Sequence, residues 1–191
     1  MAEAQIETKN WPFEVRPLMP TFGAEIVGLD LDKAVSPEVF PMIHEAWLEY
    51  QILAFRGIEV SPATQVAFAA KFGEVQVHVM NQYHGYDAQP ELYVLTNLGQ
   101  DGKPSGAHPD LGTLHWHIDA SWNARNGHST FMYAERPPRE GGQTHFADMY
   151  SAYEELSDDW RHRVDSMRVV HNLDFSRNRR HGHAPMSAEQ K

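Results

Sequence analysis

The stretch Leu114–Trp122, LHWHIDASW, places two histidines, one aspartate and two tryptophans close together. Five of the chain's histidines (His108, His115, His117, His128 and His145) fall in the window around it. Histidine is both a common metal ligand and a proton carrier near neutral pH. In an extended chain, residues i and i+2 point to the same face. His115, His117, Asp119 and Ser121 then share one face, and Leu114, Trp116, Ile118 and Ala120 share the other. An imidazole and a carboxylate two residues apart on one face can chelate a single ion. A third ligand from elsewhere would complete a two-histidine, one-carboxylate set with open positions, which suits non-haem Fe(II) oxygenases. Zinc is more often closed by a fourth protein ligand, or held by three ligands and a water in a hydrolase. The spacing alone also fits an acid/base pair or an ordinary polar strand. A metal-dependent hydrolase built on His115, His117 and Asp119 ranks below the oxygenase. Three successive residues of one strand face are poorly spaced to share one ion.

A second motif, GGQTHFADMY, begins at Gly141. Its two glycines allow a tight turn into a strand. Thr144 and Phe146 would share a face there, and the Thr144 hydroxyl could donate a hydrogen bond to a carboxylate near a metal. Threonine is equally an ordinary strand residue.

These motifs need elements to carry them. TFGAEIVGLDL (Thr21–Leu31) alternates between turn glycines and predicts a strand. Ser36 and Pro37 mark a helix start, with Val39, Ile43, Ala46, Trp47 and Tyr50 on one face, although Pro41 restricts where the helix begins. ILAF (Ile52–Phe55) predicts a buried strand. Ser61 and Pro62 predict a second helix, ending at Gly73 as its cap. ELYVLTN (Glu91–Asn97) predicts a strand and the following LGQDGKPSGAHPDLG a loop. Further strands are predicted at Ser129–Glu135, Gln143–Met149 and Met167–Leu173, with one helix at YSAYEELSDDWRHRV.

Composition narrows the classes. The chain has 191 residues, of which 41% are hydrophobic and 22% charged, enough for one domain with a core. It has no cysteine, which excludes disulfides, zinc ribbons and thiol catalysis and points to a reducing cytoplasm. The net charge of −10 argues against a nucleic-acid partner, and no apolar run is long enough to cross a membrane. The N-terminal MAEAQIETKNW has neither a basic nor an apolar leader region.

Taken together, PLMPTFGAEIVGLDL, ILAFRG, FGEVQVH, WHIDASW, GGQTHFADMY, AYEEL and RRHGHAPMS resemble the taurine/2,4-dichlorophenoxyacetate dioxygenase (TauD/TfdA) family over almost the whole chain. The wording FADMYSAYEEL is closer to the aryloxyalkanoate side of that family than to the taurine side. The resemblance implies an α+β fold with a mainly β core, a double-stranded β-helix (jelly roll) with peripheral helices, incomplete in this chain. It implies that residues 1–191 are a single domain, the N-terminal two-thirds of such an enzyme. It implies Fe(II) as the metal, with 2-oxoglutarate and O2 as co-substrates and succinate and CO2 as co-products. His117 and Asp119 would be two iron ligands and the catalytic centre. Thr144 would contact 2-oxoglutarate, His78 would hold the anionic group of the substrate, and Trp122 would wall the substrate pocket. Trp116 would pack, and His115 would be a neighbour of the site. The substrate class is a small anionic organic molecule such as an aryloxyalkanoate, sulfonate or sulfate. A cytoplasmic homo-oligomer is expected.

The family pattern also needs a third ligand, a histidine far downstream, and after it an arginine that pairs with the distal carboxylate of 2-oxoglutarate. Both are expected to be absent from residues 1–191. His171, His181 and His183 occur, but RRHGHAPMS resembles the segment before the ligand strand. Ser187–Gln190 has capping-box spacing, so the chain reads as cut within a helix start, or else as ending in a polar tail. A weak iron site and exposed sheet edges are the expected consequences. The competing reading is a family remnant that serves as a scaffold or interaction protein.

Overall fold

The alternation in TFGAEIVGLDL is realised as a strand whose neighbours define the core. The computed structural model describes residues 9–77, 85–86, 89–99, 101–106, 111–175 and 184. They fall into two compact units, Met1–Phe72 with Tyr133–Arg161, and Gly73–Met132 with His162–Lys191.

In the first unit, β1 (Glu14–Pro17) pairs antiparallel with β2 (Ala24–Val27), which pairs in parallel with β3 (Leu53–Phe55). A parallel pair needs a crossover. Helices α1 (Leu31–Ala34) and α2 (Phe40–Tyr50) supply it. Register places Ala24 opposite Leu53 and Ile26 opposite Phe55. Ala24 and Ile26 are buried while Glu25 and Val27 are not, as period two requires. Helix α2 covers the unit with Ile43 and Ala46, both fully buried. Helix α3 (Pro62–Ala69) adds Phe68, which meets Phe55 and Phe72 edge to face with ring centroids 5.9 and 5.4 Å apart. Phe40 and Trp47 close on the same Phe72 ring at 5.1 and 5.4 Å.

Local chemistry sets the helix ends. Asp30 accepts the Lys33 N–H at 2.9 Å, and Ser61 accepts the Thr64 N–H at 3.1 Å with Pro62 in the first turn. Ser36 was expected to start α2. Its hydroxyl does accept the Val39 N–H, but residues 37–39 form a turn and the helix begins at Phe40. Pro41, lacking an N–H, fits only the first helical turn. Gly73 does not cap α3. Ala70 does, because its N–H already bonds the Val66 carbonyl.

The predicted helix Tyr150–Val164 divides in two, α4 (Met149–Glu154) and α5 (Asp158–Asp165), the latter carrying the chain from the first unit into the second. Asp148 caps α4 with three bonds, from the Tyr150 and Ser151 amides at 3.0 and 3.1 Å and the Ser151 hydroxyl at 2.5 Å. These donors, the Ser151 hydroxyl first, hold the Asp148 carboxyl below its ordinary value of 3.8. A depressed folded value gives stability that is complete above the unfolded value and is lost as pH falls through the folded one. Asp148→Asn is therefore expected to lower the melting temperature near neutral pH. The gap to wild type should begin to narrow as pH falls below the ordinary value of 3.8 and close as the folded carboxyl takes up its proton at lower pH. An unchanged gap down to the lowest pH would contradict this.

The second unit contains a hairpin of β4 (Gly85–Tyr86) and β5 (Gln89–Tyr93), shorter than the strand predicted to reach Asn97, and a 3-10 turn at Leu111–Leu114. Every buried core residue among those described lies between Phe13 and Phe68, in the first unit. The strands predicted at 129–135, 143–149 and 167–173 run without a hydrogen-bonded ladder among the described residues, and Met149 begins α4 instead. An alternating pattern selects a pleated face, but a strand also needs a partner to satisfy its backbone. No described helix is long and apolar enough to cross a membrane.

Candidate metal centre

The segment LHWHIDASW is not a strand. Leu114 ends the 3-10 turn, residues 116–118 carry no regular secondary structure, and 119–122 form a turn. The two-residue spacing nevertheless brings the histidine and the carboxylate together. His117 Nε2 lies 3.2 Å from Asp119 Oδ1. Two donors about 2.1 Å from one ion and at right angles to each other stand about 3 Å apart, so this spacing fits adjacent ligands of one cation.

The other atoms of both side chains are engaged. His117 Nδ1 is 2.6 Å from the His115 carbonyl oxygen. A carbonyl only accepts, so Nδ1 carries the hydrogen and the Nε2 lone pair is free for an ion, the arrangement typical of metal-bound histidine. His115 thus serves through its backbone, which removes the need to crowd three side chains around one ion. Asp119 Oδ2 accepts the Thr130 hydroxyl at 2.9 Å, leaving Oδ1 to face His117. Without an ion, a second proton on Nε2 turns the same geometry into a charge-assisted contact. The two side chains are 41% and 54% exposed, so that contact alone is screened by solvent and adds little stability.

The turn after Asp119 is strained. Ala120 has φ of 53°, and the left-handed region costs a residue with a Cβ about 1–2 kcal/mol. The Asn123 N–H closes the turn on the Ala120 carbonyl at 3.0 Å. Ser121 Oγ lies 2.9 Å from His171 Nδ1. Trp122 is half-buried in this turn, whereas Trp116, expected to pack, is 71% exposed. Leu114 and Ile118 are also exposed.

Among the described residues no group of three histidine, aspartate or glutamate side chains is gathered closely enough to hold an ion. The donor set therefore fits a metal by type and spacing as two ligands of a larger set. Thr144 lies in the first unit, exposed, in the irregular segment after Gly141 and Gly142. Both glycines have positive φ, 74° and 72°, as the tight turn required. His78 lies outside the described residues. Sequence reasoning missed Thr130 and weighed His171 only as a third ligand, setting it aside. Thr130 carried no signal beyond its hydroxyl, and His171 is 50 residues from its partner.

A model described as the Taurine catabolism dioxygenase TauD, TfdA family matches residues 14–190. The chain belongs to the TauD/TfdA family. It is 30% identical over 187 residues to the (S)-phenoxypropionate/alpha-ketoglutarate-dioxygenase of Sphingobium herbicidovorans, covering 93% of this chain and 59% of that protein. It is 30% identical over 162 residues to the alpha-ketoglutarate-dependent 2,4-dichlorophenoxyacetate dioxygenase of Cupriavidus pinatubonensis, covering 81% of this chain and 56% of that one. Among solved structures, AAD-2 in complex with Mn(II) and N-oxalylglycine is similar with a TM-score of 0.70 and 28% identity, over 93% of this chain and 63% of that one. This TauD/TfdA chain thus spans less than two-thirds of the length of the relatives it matches.

Proposed function

We propose that this TauD/TfdA chain is part of one Fe(II)- and 2-oxoglutarate-dependent dioxygenase domain that hydroxylates a small anionic substrate. An aryloxyalkanoate is favoured, because the two relatives named above carry phenoxypropionate and 2,4-dichlorophenoxyacetate in their names. The observation that carries the reading is the 3.2 Å approach of His117 Nε2 to Asp119 Oδ1, with each remaining donor atom bonded elsewhere. In the proposal, His117 and Asp119 hold the iron, Thr144 contacts 2-oxoglutarate, His78 takes the anionic group of the substrate and Trp122 walls the pocket. A double-stranded β-helix is the proposed framework. A cytoplasmic homo-oligomer is the proposed state, with no nucleic-acid or membrane partner.

The iron, when bound, supplies the redox chemistry that couples loss of CO2 from 2-oxoglutarate to substrate hydroxylation. The chain's own residues keep His117 in the tautomer that frees Nε2 and hold Asp119 with one oxygen outward. A chain extended to the length of its relatives should release succinate from 2-oxoglutarate only with Fe(II) and O2, and faster with an aryloxyalkanoate than without. Succinate release that ignores O2, or turnover supported by zinc alone, would sink the proposal.

The exposed Leu114, Trp116 and Ile118 favour a second reading, a surface that binds another polypeptide. Failure of the extended chain to bind any metal would select it.

A further inference from the structure

Two side chains brought in from other segments hold the turn that carries Asp119. Ala120 keeps φ at 53°, a conformation that persists only where its surroundings over-determine it. The turn itself supplies one backbone hydrogen bond, Asn123 N–H to the Ala120 carbonyl. Thr130 bonds Asp119, on the N-terminal side of Ala120. His171 bonds Ser121, on the C-terminal side, at 2.9 Å. His171 is thus a tie between the turn and a segment 50 residues downstream within the same unit.

We infer that His171 is a positioning residue for the ion site. By holding Ser121 it fixes the turn that aims Asp119 Oδ1 at the position shared with His117 Nε2. The inference rests on reading His117 and Asp119 as metal ligands. His171 acts through Ser121 and not as a ligand, since the described residues gather no third donor at the pair. The tie forms whichever partner donates, Ser121 O–H to Nδ1 or Nδ1–H to Oγ. Its consequence is that metal affinity responds to the placement of residues after 162, although the ligand pair lies well before them.

The test uses the 191-residue chain, with Mn(II) binding followed by electron paramagnetic resonance. His171→Ala and Ser121→Ala are each expected to weaken Mn(II) binding about ten-fold, the lower end for loss of a group supporting a ligand. The double variant should be no weaker than either single one, because both remove the same tie. His171→Asn, which places an amide near the Nδ1 position, should restore most of the affinity. His171 is exposed and the buried core lies at Phe13–Phe68, so the melting temperature should hold. In the metal-free chain, His171→Ala should speed hydrogen exchange at the Asn123 amide. Wild-type affinity in His171→Ala, or additive losses in the double variant, overturns the tie and leaves the ligand pair standing. Wild type that binds no Mn(II), with Asn123 exchange still faster in His171→Ala, overturns the ligand reading and with it the role at an ion site. Unchanged exchange as well overturns both.

Discussion

Replacing His117 or Asp119 with alanine is expected to reduce Mn(II) affinity more than about 100-fold, beyond the range seen for groups that only support ligands. In the proposed site each supplies one of the two donor atoms that stand 3.2 Å apart. The remaining group alone offers an ion little more than a free side chain does. His115→Ala should leave affinity near wild type, because His115 contributes its backbone carbonyl and not its ring. Thr130→Val should fall between, since it frees Asp119 Oδ2 without removing a donor. Titration of the variants with Mn(II) checks the order. A His115→Ala loss as large as that of His117→Ala would mean that the ring of His115 takes part, and would revive the three-ligand hydrolase arrangement. Tautomer control sets this order, since a histidine whose Nδ1 is tied to a carbonyl can offer only Nε2.

The second large effect is on stability. Ile43 is the largest fully buried side chain among the described residues, on the inner face of α2. Ile43→Ala removes three carbons from a site with no solvent access. Such truncations cost about 2–5 kcal/mol, from lost transfer energy plus the cavity left behind. Against a typical domain stability of about 5–15 kcal/mol, that is a substantial fraction. Ile43→Val should cost only about 0.5–1.5 kcal/mol. Leu48→Ala, on the same helix but 62% exposed, should stay within about 0.5 kcal/mol of wild type. Urea unfolding followed by circular dichroism measures all three. An Ile43→Ala loss no greater than that of Leu48→Ala would show that α2 does not pack on this sheet in solution.

The uneven legibility of the chain follows from where its interactions are local. Ser61–Pro62 and Asp30 announce helix starts because a cap bond spans only three residues. Ile26 and Ala24 announce a strand face because period two is local too. The pair His117–Asp119 was legible for the same reason, although the conformation predicted for it was not the one found. An extended stretch and a turn both leave i and i+2 close enough to meet. The strands predicted at 129–135, 143–149 and 167–173 carry the same alternation, but no ladder partner among the described residues completes them. Hydrogen-bonded pairing is a property of two segments, and one segment cannot specify the other.

The order of residue types sets the chemistry on offer. It showed an imidazole and a carboxylate two residues apart, a glycine pair that turns the chain before Thr144, no thiols, and motifs of the TauD/TfdA family. Which atoms of that pair are free follows from the folded geometry alone. The His115 carbonyl fixes the His117 tautomer, Thr130 takes one carboxylate oxygen, and His171 holds the strained turn from 50 residues away. These contacts depend on how the backbone folds at each atom, from two residues apart for His115 to 50 for His171, and residue types along the chain do not encode them.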